Sequence, residues 1–271
     1  MTGQPWHLGR IAALDFECSD KDPETARIVT CALIGLGGDA ETDTREWLVN
    51  PGVPMEPGAI AVHGITDEYA VVNGGDAETD VREIAGYVAD YVRAGTPLVG
   101  HNIGFDLCLL DRECRRHGLG SLEQVCGQPL TRVLDTMVID RHTAPFRRRV
   151  SPTQGPYQMR TTAETYGLSW DEEQAHAAEY DALQSARVAW LMGDIAHREP
   201  SARPQWVRNL RDGGARFNLL AGVTFEGLFA LQQDWHRVWA QDFEAYLRKS
   251  DASAVIDRSW PLRPLTEQVA S

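Results

Sequence analysis

The chain predicts an α/β fold: a mixed five-stranded sheet flanked by helices, with a helical C-terminal extension. Three observations carry this. Apolar runs rich in β-branched residues come early and close together, and later ones alternate with segments of helical period. The first run, IAALDFE, ends in two acids spaced two apart, as on one face of a strand. Past residue 199 the composition shifts to Pro and paired Gly, before a last amphipathic stretch.

Residues 9–17 (GRIAALDFE) read as a buried strand and residues 28–37 (IVTCALIGLG) as a second. A third, REWLVNP (45–51), is closed by Pro51. Links this short predict an antiparallel meander. A Pro- and Gly-punctuated stretch follows through HGIT (63–66). Helical periodicity then appears over 78–93, where Val81, Ile84, Ala85, Val88 and Val92 share a face. PLVGHN (97–102) is a short strand leading into a helix from about Phe105 to His117, which Gly118 ends. RVLDT (132–136) is the fifth strand and enters another helix. Residues 145–160 are irregular. Thr161 with Glu164 predicts a capping box for a short helix ending at Gly167, and a longer helix covers 179–197.

These elements divide the chain into a domain over 1–198, a linker over 199–223 and a helical extension over 224–271. In the extension, Leu228, Leu231, Trp235, Trp239, Phe243 and Tyr246 fall near one face. That stripe reads as packing on the main domain, with a partner surface as the alternative.

Apolar residues make up 43% of 271, enough for a sizeable core. No run of 18 apolar residues exists, so no membrane span is expected. MTGQPWHLGR lacks the n- and h-regions of a signal peptide, and cytoplasmic residence is expected. The 5 cysteines are an odd number without a C-x-x-C pair, as for reduced thiols. Cys114, His117 and Cys126 match no common zinc spacing and read as helix-face and core residues. A net charge of −13 argues against a polyanion partner only until its distribution is considered. Residues 141–160 (RHTAPFRRRVSPTQGPYQMR) hold five Arg and no acid, a local strip able to steer a phosphate chain. Its other reading is a solvated loop.

Five polar residues remain to be explained. Asp15 and Glu17 share a strand face, Asp106 lies in the first turn of its helix, and Asp181 lies near the start of the next long one. His176 precedes Asp181 by five residues. Acids clustered on buried element ends repel one another and lose solvation, and a divalent cation removes both penalties. Each position taken alone has an ordinary structural reading, such as helix capping or a solvated strand end. The five together point to metal chemistry.

The segments DFE, HGIT, GHNIGFD and HAAEYDA resemble, in order and spacing, the motifs of the DEDDh exonucleases, relatives of the proofreading subunit of bacterial DNA polymerase III. The resemblance covers residues 9–198. It implies a ribonuclease H-like fold and removal of nucleotides from 3′ ends with two divalent ions, Mg²⁺ or Mn²⁺. By motif, Asp15, Glu17, Asp106 and Asp181 would ligate the ions and His176 would be the general base. Substrate contacts are expected from Phe16, Cys18, His63, Asn102, Phe105 and the Arg147, Arg148 and Arg149 strip. The implied partner is nucleic acid with a single-stranded or frayed 3′ end, DNA rather than RNA. A polymerase or repair complex could be joined through the extension. An exoribonuclease and an inactive end-binding adaptor are the alternatives. One departure stands out: the family continues D-x-E with Thr-Thr-Gly, whereas this chain has Cys18, Ser19 and Asp20.

Overall fold

The computed structural model describes residues 5–265. Residues 1–4, and residues 266–271 of the expected extension, lie outside the described residues. Six strands form one sheet: β1 (Ile11–Cys18), β2 (Ile28–Leu36), β3 (Asp43–Asn50), β4 (Gly75–Asp76), β5 (Leu98–Gly100) and β6 (Val133–Asp135), in the order β4-β3-β2-β1-β5-β6. The first three make the expected antiparallel meander, while β4, β5 and β6 join in parallel. The sheet therefore has one strand more than expected. With only two residues in NGGD, β4 is too short to show any alternation.

Period two on β1 sorts the core. Ala12, Leu14 and Phe16 enter one apolar cluster, and Ile11 and Ala13 enter the other. Asp15 and Glu17 continue the second face. The first cluster is covered by α3 (Ala77–Arg93) and α4 (Ile103–Arg116), through residues such as Ile84, Val88, Leu107 and Leu110.

Four short helices precede or separate the larger ones. The Pro- and Gly-punctuated stretch holds α1 (Pro57–His63), and α2 (Asp67–Asn73) follows it. HGIT is the stop and start between them: Gly64 at φ 75° ends α1, and the Thr66 hydroxyl accepts the Tyr69 N–H to open α2. Seven residues are too few for a periodic signal. α5 (Leu122–Cys126) opens on a reciprocal Ser121–Gln124 capping box and seats Cys126, like Cys114 of α4, in the core. α6 (Thr136–Thr143) follows β6.

The capping box expected at Thr161 is absent, because α7 (Met159–Thr165) starts earlier, after Gln158. Thr161 is buried within it, donating to Gly155 O and accepting from Gln154, while Glu164 pairs with Arg160. The second cluster is closed by α8 (Ala178–His197), whose Ala182, Ala186 and Ala189 let it lie close on the sheet.

Residues 199–223 are not the linker their Pro and Gly content suggested. They carry α9 (Gln205–Arg208) and α10 (Asn218–Ala221), and Val207, Phe217 and Leu220 are fully buried in the second cluster. Buried Arg203 holds the segment by donating to Ile195 O, Ala196 O, Gly214 O and Asn218 Oδ1. The extension is also docked. From α11 (Phe225–Leu247), Gln232 accepts the Asp135 N–H at 2.7 Å and donates to Val133 O at 2.9 Å. One side-chain amide thus gives edge strand β6 the bonds a further strand would. Among the described residues, no helix is long and apolar enough to cross a membrane.

Candidate metal-binding active site

Three elements bring the acids together. Near the C-terminal end of β1, pairing with β2 shifts between Glu17 and Cys18, a bulge that re-aims the chain just beyond the two acids. Asn102 takes the left-handed conformation (φ 69°) as N-cap of α4, which places Asp106 in the first turn. There Asp106 Oδ1 accepts the Phe16 N–H at 3.1 Å, so this carboxylate is tied to β1 between Asp15 and Glu17. Asp181 occupies the first turn of α8. Ahead of it, His176 sits at φ 65°, a conformation uncommon outside glycine, with half of its side chain exposed. Its Nδ1 is 4.0 Å from Asp181 Oδ2. One ligand atom from each of Glu17, His176 and Asp181 can be chosen so that all lie within 4.8 Å of one another.

Charge is poorly tolerated in this arrangement. Burial, then the negative charges of Asp106, Asp181 and Glu17, hold Asp15 well above the carboxylate range. Burial, then Asp181 and Asp106, push Glu17 up to about 8. Burial lifts Asp181 to about 6 against the lowering pull of His176. Asp106 is raised mainly by burial too, despite the backbone N–H bonds it accepts, with Asp135 adding repulsion. Among the described residues no Arg or Lys pairs with any of the four. Asp181 Oδ1 is buried without a hydrogen-bond partner.

Four oxygen-donor side chains with no protein counter-ion and an orphaned buried oxygen suit a hard divalent cation. Asp15, Glu17, Asp106 and Asp181 are the residues that would hold it. A cation held there would have the His176 imidazole at its edge.

The expected substrate contacts divide. His63, at the end of α1, is half-buried and within electrostatic reach of His176. Burial lowers its pKa, the Cys18 backbone opposes this, and the charge of His176 lowers it further. Its Nδ1 accepts the Ile65 N–H, which leaves the proton on Nε2. Phe105 is partly exposed beside Asp106, and the Asn102 side chain is exposed at the start of α4. Cys18 is partly exposed too, but its thiol donates to Asp20 O and burial pushes it up to about 12. Phe16 requires correction, since its ring is buried in the first cluster and only its backbone N–H reaches the site. Arg147 is also not free for substrate: it pairs with buried Asp140 and donates to Thr165. Arg148 and Arg149 are exposed, with Arg149 donating to Pro152 O.

Sequence reasoning missed Asp135. This buried carboxylate caps α6, accepts the Asn102 N–H at 2.9 Å and receives the indole N–H of Trp260 at 3.3 Å. An Asp-Thr step from strand to helix in RVLDT was the available signal. Nothing local could have placed Trp260 there.

The chain matches known proteins in the same region. A family model described as Exonuclease matches residues 12–189. A DNA polymerase III of PolC type from Lacticaseibacillus paracasei is 28% identical over 166 residues, 61% of this chain and 10% of that protein. The DNA polymerase III epsilon subunit of Haemophilus influenzae is 28% identical over 145 residues, 53% of this chain and 49% of that one. The chain thus spans about a tenth of the first relative and about half of the second. Among solved structures, E. coli exonuclease I in complex with a dT13 oligonucleotide is similar with a TM-score of 0.56 and 16% identity, over 71% of this chain and 42% of that one. That likeness is one of fold, and the fold is ribonuclease H-like.

Proposed function

The chain belongs to the DEDDh exonuclease family, and on that premise we propose that it is a metal-dependent 3′→5′ exonuclease. It hydrolyses the terminal phosphodiester of a single-stranded or frayed 3′ end, DNA in preference to RNA, and releases nucleoside 5′-monophosphates in the cytoplasm. The observation that carries this reading is the group of four crowded carboxylates that, among the described residues, no Arg or Lys pairs with.

Two Mg²⁺ or Mn²⁺ ions bound by Asp15, Glu17, Asp106 and Asp181 would supply the positive charge that the attacking and leaving oxygens need. His176, half-exposed at the rim, takes a proton from the attacking water, and Asp181 Oδ2 at 4.0 Å steadies the imidazolium that results. His63 and Phe105 border the cleft and position the terminal nucleotide. Arg148 and Arg149 offer exposed positive charge to the phosphate chain.

A preference for DNA is supported by the names of the relatives, which are DNA polymerase III proteins, and by the dT13 bound to the exonuclease I neighbour. The same names support association with a polymerase or repair complex through the C-terminal extension. The test is incubation with 3′- and 5′-labelled single-stranded DNA, duplex DNA and RNA in Mg²⁺, Mn²⁺ or EDTA. Immediate release of 3′ label as mononucleotide, only with metal and fastest on single-stranded DNA, is expected. Release from the 5′ end, or turnover in EDTA, would refute the proposal.

A further inference from the structure

A second cavity, of about 800 Å³, opens between α6 and α11, outside the acid cleft. Its walls are largely aromatic. Trp235 stacks on His142 at 3.9 Å with 9° between the planes. Trp239 and Phe243 lie 5.3 Å apart at 17°, and Tyr246 continues the row beyond the cavity, 6.5 Å from Phe243 at 11°. Phe243 is 37% exposed and Tyr246 64%. Phe146, held at φ 66°, faces solvent on the cavity's other wall with 80% of its surface open.

Charge is set into these walls. The Arg141 guanidinium lies 4.0 Å over the Trp239 ring. Among the described residues it makes no ion pair, and its Nε is buried without a hydrogen-bond partner. His142 has a buried Nε2 in the same condition, and burial, followed by the charge of Arg216, holds its pKa down to about 4, so the ring is neutral. Arg211 lies 5.9 Å from the Phe146 ring. Acids stand against this group: exposed Asp242 on the cavity wall, Asp212, which pairs with Arg216, buried Asp135, whose charge acts on Arg141 and His236, and Asp257, which acts on His236.

A chain of bonded residues links the cavity wall to the start of α4, which carries Asp106. Tyr157, which lines the cavity, accepts His101 Nε2 at its carbonyl. The neighbouring Asn102 N–H is held by Asp135. Asp135 in turn lies within electrostatic reach of Arg141 and His236 in the cavity and of Asp106 in the cleft.

A row of near-parallel flat rings with a guanidinium that makes no ion pair over one of them matches a nucleobase and its phosphate. A purely apolar peptide would leave the Arg141 and His142 nitrogens unsatisfied. We propose that this cavity binds an upstream nucleotide of the single strand whose 3′ end lies in the acid cleft, with the base stacked on the Trp239–Phe243 row and a phosphate at Arg141. The inference rests on the exonuclease reading and deepens it. The C-terminal extension, which supplies the rings, then becomes part of the substrate path.

The test uses the full chain, with Phe243→Ala and Arg141→Gln beside the unaltered protein. Substrates are the p-nitrophenyl ester of thymidine 5′-monophosphate, which fills only the terminal-nucleotide site, and oligothymidylates of increasing length. Both variants are expected to leave kcat and KM on the ester unchanged and to raise KM on the longest oligomer about tenfold, the weight of one stacked base. Because Phe243 is exposed, its truncation keeps the fold. KM values that stay unchanged at every length, or rise equally on the ester, overturn the proposal and leave the cavity to a protein partner. If the unaltered protein turns over nothing, the exonuclease reading falls, and fluorescence anisotropy with the longest oligomer still decides the cavity. There, about tenfold weaker binding by Phe243→Ala upholds the proposal, and equal binding sinks it.

Discussion

The two ends of α4 treat buried carboxylates in opposite ways. At its start, Asp106 shares a site with Asp15, Glu17 and Asp181, and among the described residues no Arg or Lys pairs with any of them. Toward its end, Asp111 and Glu113 are buried as deeply, at 2% and 1% side-chain exposure, but every charge there is answered. Arg112 donates to both oxygens of Glu24 at 2.8 Å and to Asp111 at 2.7 Å. Asp111 also accepts from Arg115 and from the Leu122 N–H, while Glu113 pairs with Arg116 and lies near Arg27 and His117. Arg112 reaches further, to the carbonyls of Arg263 and Pro264, and so ties the C-terminal tail to the helix. Burial alone does not mark a functional acid. Burial without a protein counter-ion does, because folding leaves that charge to be neutralised by something that binds.

The comparison breaks most sharply on activity. Asp15→Ala or Asp181→Ala is expected to abolish turnover while the protein stays folded, and His176→Ala to lower kcat by about a hundredfold or more. Steady-state kinetics on a single-stranded oligonucleotide, with circular dichroism to confirm folding, checks this. Full activity in Asp15→Ala would remove the acid cleft from the chemistry.

At the paired end the effect is expected on stability instead. Arg112→Met removes the cationic partner of Glu24 and one of the two that hold Asp111, and should cost about 3–5 kcal/mol in chemical denaturation, with kcat per folded molecule unchanged. A loss below about 1 kcal/mol would mean that the pairing is not structural.

The smallest effect sharpens the contrast through pH. In EDTA, Glu17 rises from 4.5 unfolded to about 8 folded, and Asp181 from 3.8 to about 6. A carboxyl whose folded pKa is raised binds its proton more tightly in the folded state, so stability falls as pH climbs between the two values. Tm in EDTA is therefore expected to drop from pH 3.8, where Asp181 begins, to about pH 8, where Glu17 ends, and Mn²⁺ to restore it at the upper end. Asp15→Asn should flatten the decline. A Tm in EDTA that rises steadily across that window would contradict the raised proton affinity that burial gives these carboxyls.

Much of this was legible in the sequence, for identifiable reasons. The D-x-E spacing at the end of an apolar run placed Asp15 and Glu17 on one face, because side-chain direction on a strand is set locally. Asp106 and Asp181 were found through helix starts, which also have local signals. What failed depended on partners far along the chain. Gly and Pro between 199 and 216 looked like a linker, yet Arg203 and Phe217 anchor that segment to α8. Thr161 looked like a cap, but its hydroxyl is drawn to Gly155. Phe16 was expected beside substrate, although the same alternation that faces Asp15 outward turns its ring into the core. No local pattern shows that Gln232 and Trp260 converge on Asp135 from 97 and 125 residues away.

The most direct test of the central claim is Mn²⁺ binding to the full chain, counted by electron paramagnetic resonance, for the unaltered protein and for Asp15→Asn and Asp181→Asn. Two ions per chain, falling to one or none in either variant, is the expected result. No bound Mn²⁺, or binding undiminished by both substitutions, would show that these four carboxylates do not form a metal site.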